Sequence, residues 1–173
     1  MRYFISLATA VLILAGCADS HQLVRLNESN STKLDKNCAV YVAVSKDSRY
    51  GDIKYEGSGA TTSQVIMAAF AKHIARIESA PTYEPLSINL KKARSDGFSH
   101  LVYPMILHWE DRATEWSGTP DKVRVKISLL DVATGQVLDG AIISGESGLA
   151  TFGGDRPQDL LAEPMDEYVA SLF

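Results

Sequence analysis

The chain runs through blocks of different hydrophobic period. Phe4 to Ala15 is apolar apart from Ser6 and Thr9 and follows the single positive charge of Arg2. That run is shorter than the roughly 18 to 20 residues a helix needs to cross a bilayer, so residues 1–16 read as an export signal to be removed. Residues 17–36 are rich in Ser, Asn, Asp and Lys, offer little burial to offset ordering entropy, and predict a flexible tether. One folded domain is expected over residues 37–173. It opens with Ala39 to Val44, a short, valine-rich apolar run that predicts a buried strand. A polar loop with Gly51, Gly57 and Gly59 follows over residues 45–60. From about Thr61 or Thr62 to Ile77, the side chains Ile66, Ala69, Phe70, His73, Ile74 and Ile77 recur at the helical period, with Ser or Thr available as the N-cap.

Beyond this helix a short strand is expected around Thr82 to Glu84. A second helix is expected from Ser87 to Asp96, with Leu90 and Ala93 inward and Gly97 just past its end. Leu101, Tyr103, Met105, Leu107 and Trp109 alternate on one face of the next strand, in which Pro104 implies an edge position or a bulge. Val123, Val125, Ile127 and Leu129 alternate with Lys122, Arg124, Lys126 and Ser128, the pattern of a strand with one wet face. Asp131 to Gly135 reads as a hairpin turn leading into a returning strand from Val137 to Ser147. A last helix begins near Asp155 and Pro157 and carries Leu160, Leu161, Met165, Tyr168, Val169 and Leu172 at helical spacing, with Pro164 expected to kink or restart it. This order predicts an α+β domain: a mixed, largely antiparallel sheet with helices packed on it.

Chemistry enters with Leu14-Ala15-Gly16-Cys17, which closes the export signal and matches the bacterial lipobox. Small residues let the signal peptidase accept an extended backbone, and the Cys17 thiol carries the diacylglycerol. Cleavage between Gly16 and Cys17 leaves 157 of the 173 residues, held to a membrane without crossing it. Each buried acyl CH2 contributes about 0.8 kcal/mol, so several chains anchor stably where one would not. By the sorting rule of Gram-negative lipoproteins, Ala18 implies the outer membrane, with Asp19 one place beyond the position that would signal retention. Loss of Arg2 with the signal leaves 16 Lys and Arg against 21 Asp and Glu, a net charge of −5. Such a surface repels phosphate backbones, so nucleic acid is not an expected partner. Once Cys17 is acylated, Cys38 has no partner for an intramolecular disulfide. It reads as a small buried residue, a reactive or intermolecular thiol being the alternative.

Histidines at 21, 73, 100 and 108 show no metal spacing, and no Gly-x-Ser-x-Gly elbow is present, so no catalytic residue, metal or cofactor is expected. His73 reads as a core or rim histidine of the first helix. Gly57-Ser58-Gly59-Ala60-Thr61-Thr62-Ser63 is the one stretch resembling an anion cradle, a Gly-rich turn feeding a helix N-terminus, without the Lys of a P-loop. Gly57, Ser58, Gly59 and Thr61 are its candidate ligand residues, against the alternative of a plain loop and cap. The other unusual cluster runs from Trp109 to Gly118 and sets both tryptophans and four charges at a strand end and in the loop behind it. Trp109, Arg112, Glu115 and Trp116 are of types that dominate binding hot spots and are the candidate partner-binding residues. The alternative is that Trp109 covers the sheet while Glu110 and Arg112 pair with charges on the neighbouring strand.

Together the lipobox, Tyr55-Glu56-Gly57-Ser58-Gly59, Trp109-Glu110-Asp111-Arg112 followed by Thr114-Glu115-Trp116-Ser117-Gly118, the Asp131 to Gly135 turn and the final helix resemble a bacterial lipoprotein family, that of domain of unknown function 4823. The resemblance spans the whole chain, and its most specific part is the Trp-rich motif. That family has no assigned activity and implies no catalytic residues. In element order alone the chain is also similar to the TolB amino-terminal-like fold of the penicillin-binding-protein activator and curli secretion lipoproteins, which act by binding other periplasmic proteins. The resulting expectation is an outer-membrane lipoprotein facing the periplasm, not an enzyme, that binds an envelope or periplasmic protein or forms a homo-oligomer. A small-ligand or enzymatic role for residues 57–63 is the alternative.

Overall fold

The computed structural model describes residues 19–26, 33–111, 119–148 and 156–173. In chain order these form β1 (Ser20–Arg25), β2 (Ala39–Val44), β3 (Ser48–Tyr50), β4 (Ile53–Tyr55), α1 (Ser58–Phe70), β5 (Arg76–Tyr83), α2 (Leu86–Ser95), β6 (His100–Glu110), β7 (Lys122–Asp131), β8 (Val137–Glu146) and α3 (Asp159–Ala170). Six strands make one sheet in the order β1-β8-β7-β6-β2-β5, and β3 pairs with β4 in a separate hairpin. The architecture is the mixed, largely antiparallel α+β sheet that the patterning predicts. β2 runs parallel to β5 and β6, while β6, β7, β8 and β1 pair antiparallel in turn.

Burial follows from that mixture. The crossover from β2 through α1 to β5 runs one way across the sheet, and the crossover from β5 through α2 to β6 runs back. Crossovers of one hand in opposite directions place their helices on opposite faces. β2 is therefore covered on both sides, which is why all six of its residues are buried and its sequence is apolar without alternation. One face packs Val42, Val125, Ile127 and Ile143 against Ile66 and Phe70 of α1 and Leu161, Met165 and Tyr168 of α3. The other packs Tyr41, Leu101 and Leu130 against Ala93 of α2 and Phe98. β7 and β8 are covered mainly on the first face, hence their alternation.

Several expectations change. Ser20–Arg25, expected within the tether, is edge strand β1, paired with β8 from Ser20↔Glu146 to Arg25↔Ala141. A polar, exposed strand carries little hydrophobic signal of its own; it is held by the backbone ladder and by the Arg25 guanidinium, 3.0 Å from the fully buried carboxylate of Asp139. Helix α1 starts at Ser58 and stops at Phe70, earlier at both ends than its periodicity implies. Ile74 and Ile77 still face the same core, but from a turn and from β5, whose pairing with β2 begins at Arg76↔Ala39. β5 is accordingly eight residues long, its Pro81 lying on the edge strand where a missing donor is tolerated. Finally, the register of β6 against β7 shifts between Ile106 and His108. This bulge at Leu107 turns Trp109 onto the face of Val102 and Ile106, away from Leu101 and Tyr103 with which it was grouped. Pro104 lies where β6 pairs with β7 but has run past its ladder with β2.

Residues 45–60, expected as a polar loop, hold the β3–β4 hairpin, and Pro164 does not divide the last helix; α2 and the β7–β8 hairpin stand where the pattern puts them. α2 ends at Ser95 with Asp96 as its C-cap and Gly97 at φ 74°, a left-handed conformation that favours glycine. Gly135 at φ 74° closes the β7–β8 hairpin. There the Asp131 carboxylate accepts from the Thr134 hydroxyl and amide, both 2.7 Å away, and these bonds hold its pKa below the usual carboxylate value. α3 continues through Pro164 as one helix. Cys38 is buried, and burial followed by the nearby Asp35 carboxylate pushes its thiol pKa up. His73 sits just beyond α1 and stacks on Phe173, ring centroids 4.8 Å apart.

Candidate functional site

The residues singled out from sequence do not converge on one site. Gly16, Cys17, Arg112, Glu115 and Trp116 lie outside the described residues. Trp109 is only 4% exposed, sits in the α1–α3 core opposite Val123, and is thereby a core residue and not an exposed anchor. The Gly57 to Ser63 stretch is not a loop but the first turns of α1, with Gly57 at φ 83° as its N-cap. Two of the amides expected to cradle an anion are already engaged: Gly59 donates to the Asp47 carboxylate at 3.0 Å and Thr61 to the Gly57 carbonyl at 2.9 Å, while the Ser58 hydroxyl oxygen accepts from the Ser48 amide at 2.9 Å. Asp47 thus occupies the position an anionic ligand would take at this helix start. Gly59 is required for a different reason, since a Cβ there would lie 2.0 Å from the Ser45 carbonyl oxygen.

Beside this turn lies a cleft of about 510 Å3 where α1 and α3 both begin, lined by Lys54, Tyr55, Thr61, Asp111, Arg156 and the edge of Trp109 among others. Burial, followed by repulsion from Asp121, raises the Asp111 carboxyl pKa, with the Arg156 guanidinium opposing. The walls carry both signs of charge, so the cleft has no basic excess suited to a phosphate. Among the described residues no three His, Cys, Asp or Glu side chains gather as a metal site would need.

The larger feature is the sheet face opposite α1 and α3, beyond the reach of α2. Residues paired across antiparallel strands share a face, so the register arranges three rows. Glu110, Lys122, Glu146 and Ser20 form the first; His108, Arg124, Ser144 and Gln22 the second; Met105, Lys126, Ile142 and Val24 the third. Within them Lys122 meets Glu146 at 3.2 Å, and the His108 Nε2 lies 2.8 Å from the Glu110 carboxylate. Met105, Leu107 and Val24 are 49%, 45% and 44% exposed. A depression of about 660 Å3 runs over the first two rows. The sequence pattern placed Met105 and Leu107 inward; the wet positions of β7 were the available sign that their cross-strand neighbours share an open face.

No curated protein matches the chain in sequence. Solved structures do resemble it. Two PelC dodecamer structures from Paraburkholderia phytofirmans, each 15% identical, superpose with TM-scores of 0.65 and 0.66 over 88% and 89% of this chain and 98% and 96% of theirs. Lipoprotein GNA1162 from Neisseria meningitidis, 13% identical, superposes with a TM-score of 0.50 over 76% of this chain and 98% of that one. At these identities the likeness establishes a shared fold. In sequence, the family model of domain of unknown function (DUF4823) spans residues 32–172, from before β2 to the end of α3, and the chain belongs to that family.

Proposed function

We propose that the protein is an outer-membrane lipoprotein, held by acyl chains on Cys17 and facing the periplasm, that works by binding protein and not by catalysis, its first partner being a second copy of itself. The observation that carries this reading is the open sheet face. It combines exposed apolar side chains at Met105, Leu107 and Val24 with a base and an acid side by side, Lys122 and Glu146, that can complement their own kind. The likeness to PelC, solved as a dodecamer, supports self-association on this fold, and the likeness to a Neisseria lipoprotein supports the anchor.

Two measurements test the two halves. Metabolic labelling with a fatty acid should mark the wild-type protein and not Cys17→Ala, whose precursor should stay uncleaved; an unlabelled wild type overturns the anchor. Sedimentation of the chain from Ala18 onward should give a multiple of the monomer mass. Leu107→Glu should return it to monomer with an unchanged melting temperature, because Leu107 is nearly half exposed and contributes little packing. A wild type that stays monomeric at tens of micromolar overturns self-association.

A further inference from the structure

We infer that the domain stands on the bilayer with the Ser20 end of its sheet against the lipid headgroups and the β7–β8 hairpin pointing away. The inference rests on the acyl anchor proposed above and adds to it an orientation and a contact surface. β1 begins three residues after Cys17, and three residues of chain reach at most about 10 Å. Even this short connection is tied down, because the Gly148 amide donates to the Asp19 carboxylate at 2.9 Å. β1 cannot swing free of the sheet, since its whole length is laddered to β8 and Arg25 is paired with buried Asp139.

The end so held is the row Ser20, Glu146, Lys122 and Glu110. The ten residues of β7 then carry the sheet about 30 Å from that row to the Asp131 turn. At the anchored end Tyr50, 39% exposed, sets its ring against that of His108, with Ile53, 59% exposed, opposite it in the β3–β4 hairpin. Tyrosine with an apolar neighbour suits the headgroup level of a bilayer. Among the described residues at this end Lys122 and Arg156 stand beside Asp111 and Glu146, a mixture of both signs. Strands rising from the membrane hold the open sheet face upright, where copies anchored in one leaflet can meet it sideways.

The test uses acylated protein in phosphatidylethanolamine–phosphatidylglycerol vesicles carrying rhodamine on the headgroups, with a fluorescent donor on Glu146→Cys, on Gln158→Cys at the start of α3, or on Ala133→Cys in the hairpin. Energy transfer should be several-fold stronger from 146 and 158 than from 133. A Gly-Ser linker of about twenty residues between Ala18 and Asp19, spanning roughly 25 Å, should lower transfer from 146 and 158. Equal transfer from both ends, stronger transfer from 133, or indifference to the linker overturns the orientation while leaving the anchor intact. Protein that carries no fatty acid and fails to float with the vesicles overturns the anchor and the orientation together.

Discussion

Asp139→Ala is expected to lower folding stability by about 3 to 5 kcal/mol, read as a shifted urea midpoint with an unchanged slope. Asp139 on β8 is fully buried. Its carboxylate meets the Arg25 guanidinium of β1 at 3.0 Å and accepts a long hydrogen bond from the Tyr168 hydroxyl of α3 at 3.4 Å. The arrangement joins an edge strand, a neighbouring strand and a helix far apart in sequence. Truncation leaves the partly buried Arg25 charge without its partner and the Tyr168 hydroxyl without its acceptor. Burial, followed by the Asp139 charge, already pushes the Tyr168 pKa well above the usual tyrosine value, so that hydroxyl cannot relieve the loss by ionising. The double variant Arg25→Met with Asp139→Leu should recover most of the loss, because replacing both members of a buried pair by apolar side chains removes the unpaired charge. A loss below about 1 kcal/mol for Asp139→Ala would show that β1 is held by its backbone ladder alone.

Trp109→Ala should be comparably severe, costing about 3 to 5 kcal/mol through the cavity it leaves. The side chain is buried between Val123 and the α1–α3 core, in a position the Leu107 bulge creates. Trp109→Phe should restore more than half of the loss, since a smaller aromatic ring refills part of the volume. Thermal melting followed by circular dichroism checks both variants. If Trp109→Ala melts like the wild type, the ring is not core, and the cleft beside it regains its standing as a binding site.

The candidate site was legible only in fragments. Gly57 to Ser63 does feed a helix N-terminus, as its composition implies, but the acid that fills the anion position comes from Asp47. Nothing in the glycine spacing foretells a carboxylate supplied from the loop before β3. The open sheet face was half readable: the basic alternation of β7 announced a wet side, whereas Met105 and Leu107 carried an apolar pattern that argued for burial. Composition along one strand reports what that strand could bury. Whether a helix reaches far enough to cover it depends on where α2 ends and which strands it spans.

The sequence by itself determined the elements whose burial repeats locally: the unbroken apolar run of β2, the alternation of β7, the Asp131 to Gly135 turn, and α2 with Gly97 behind it. These rest on side-chain period and backbone preference within a few residues, so neighbours in the chain suffice to specify them. Tertiary structure alone decided that residues 20–25 join the sheet, that α1 yields to β5 after Phe70, that Leu107 bulges, and that Asp139 can be buried. Each of these depends on a distant strand or side chain: Ser20 needs Glu146, Arg76 needs Ala39, and Asp139 needs an arginine 114 positions away. Pairing energies of that kind exist only once the chain has closed on itself, and local pattern does not contain them.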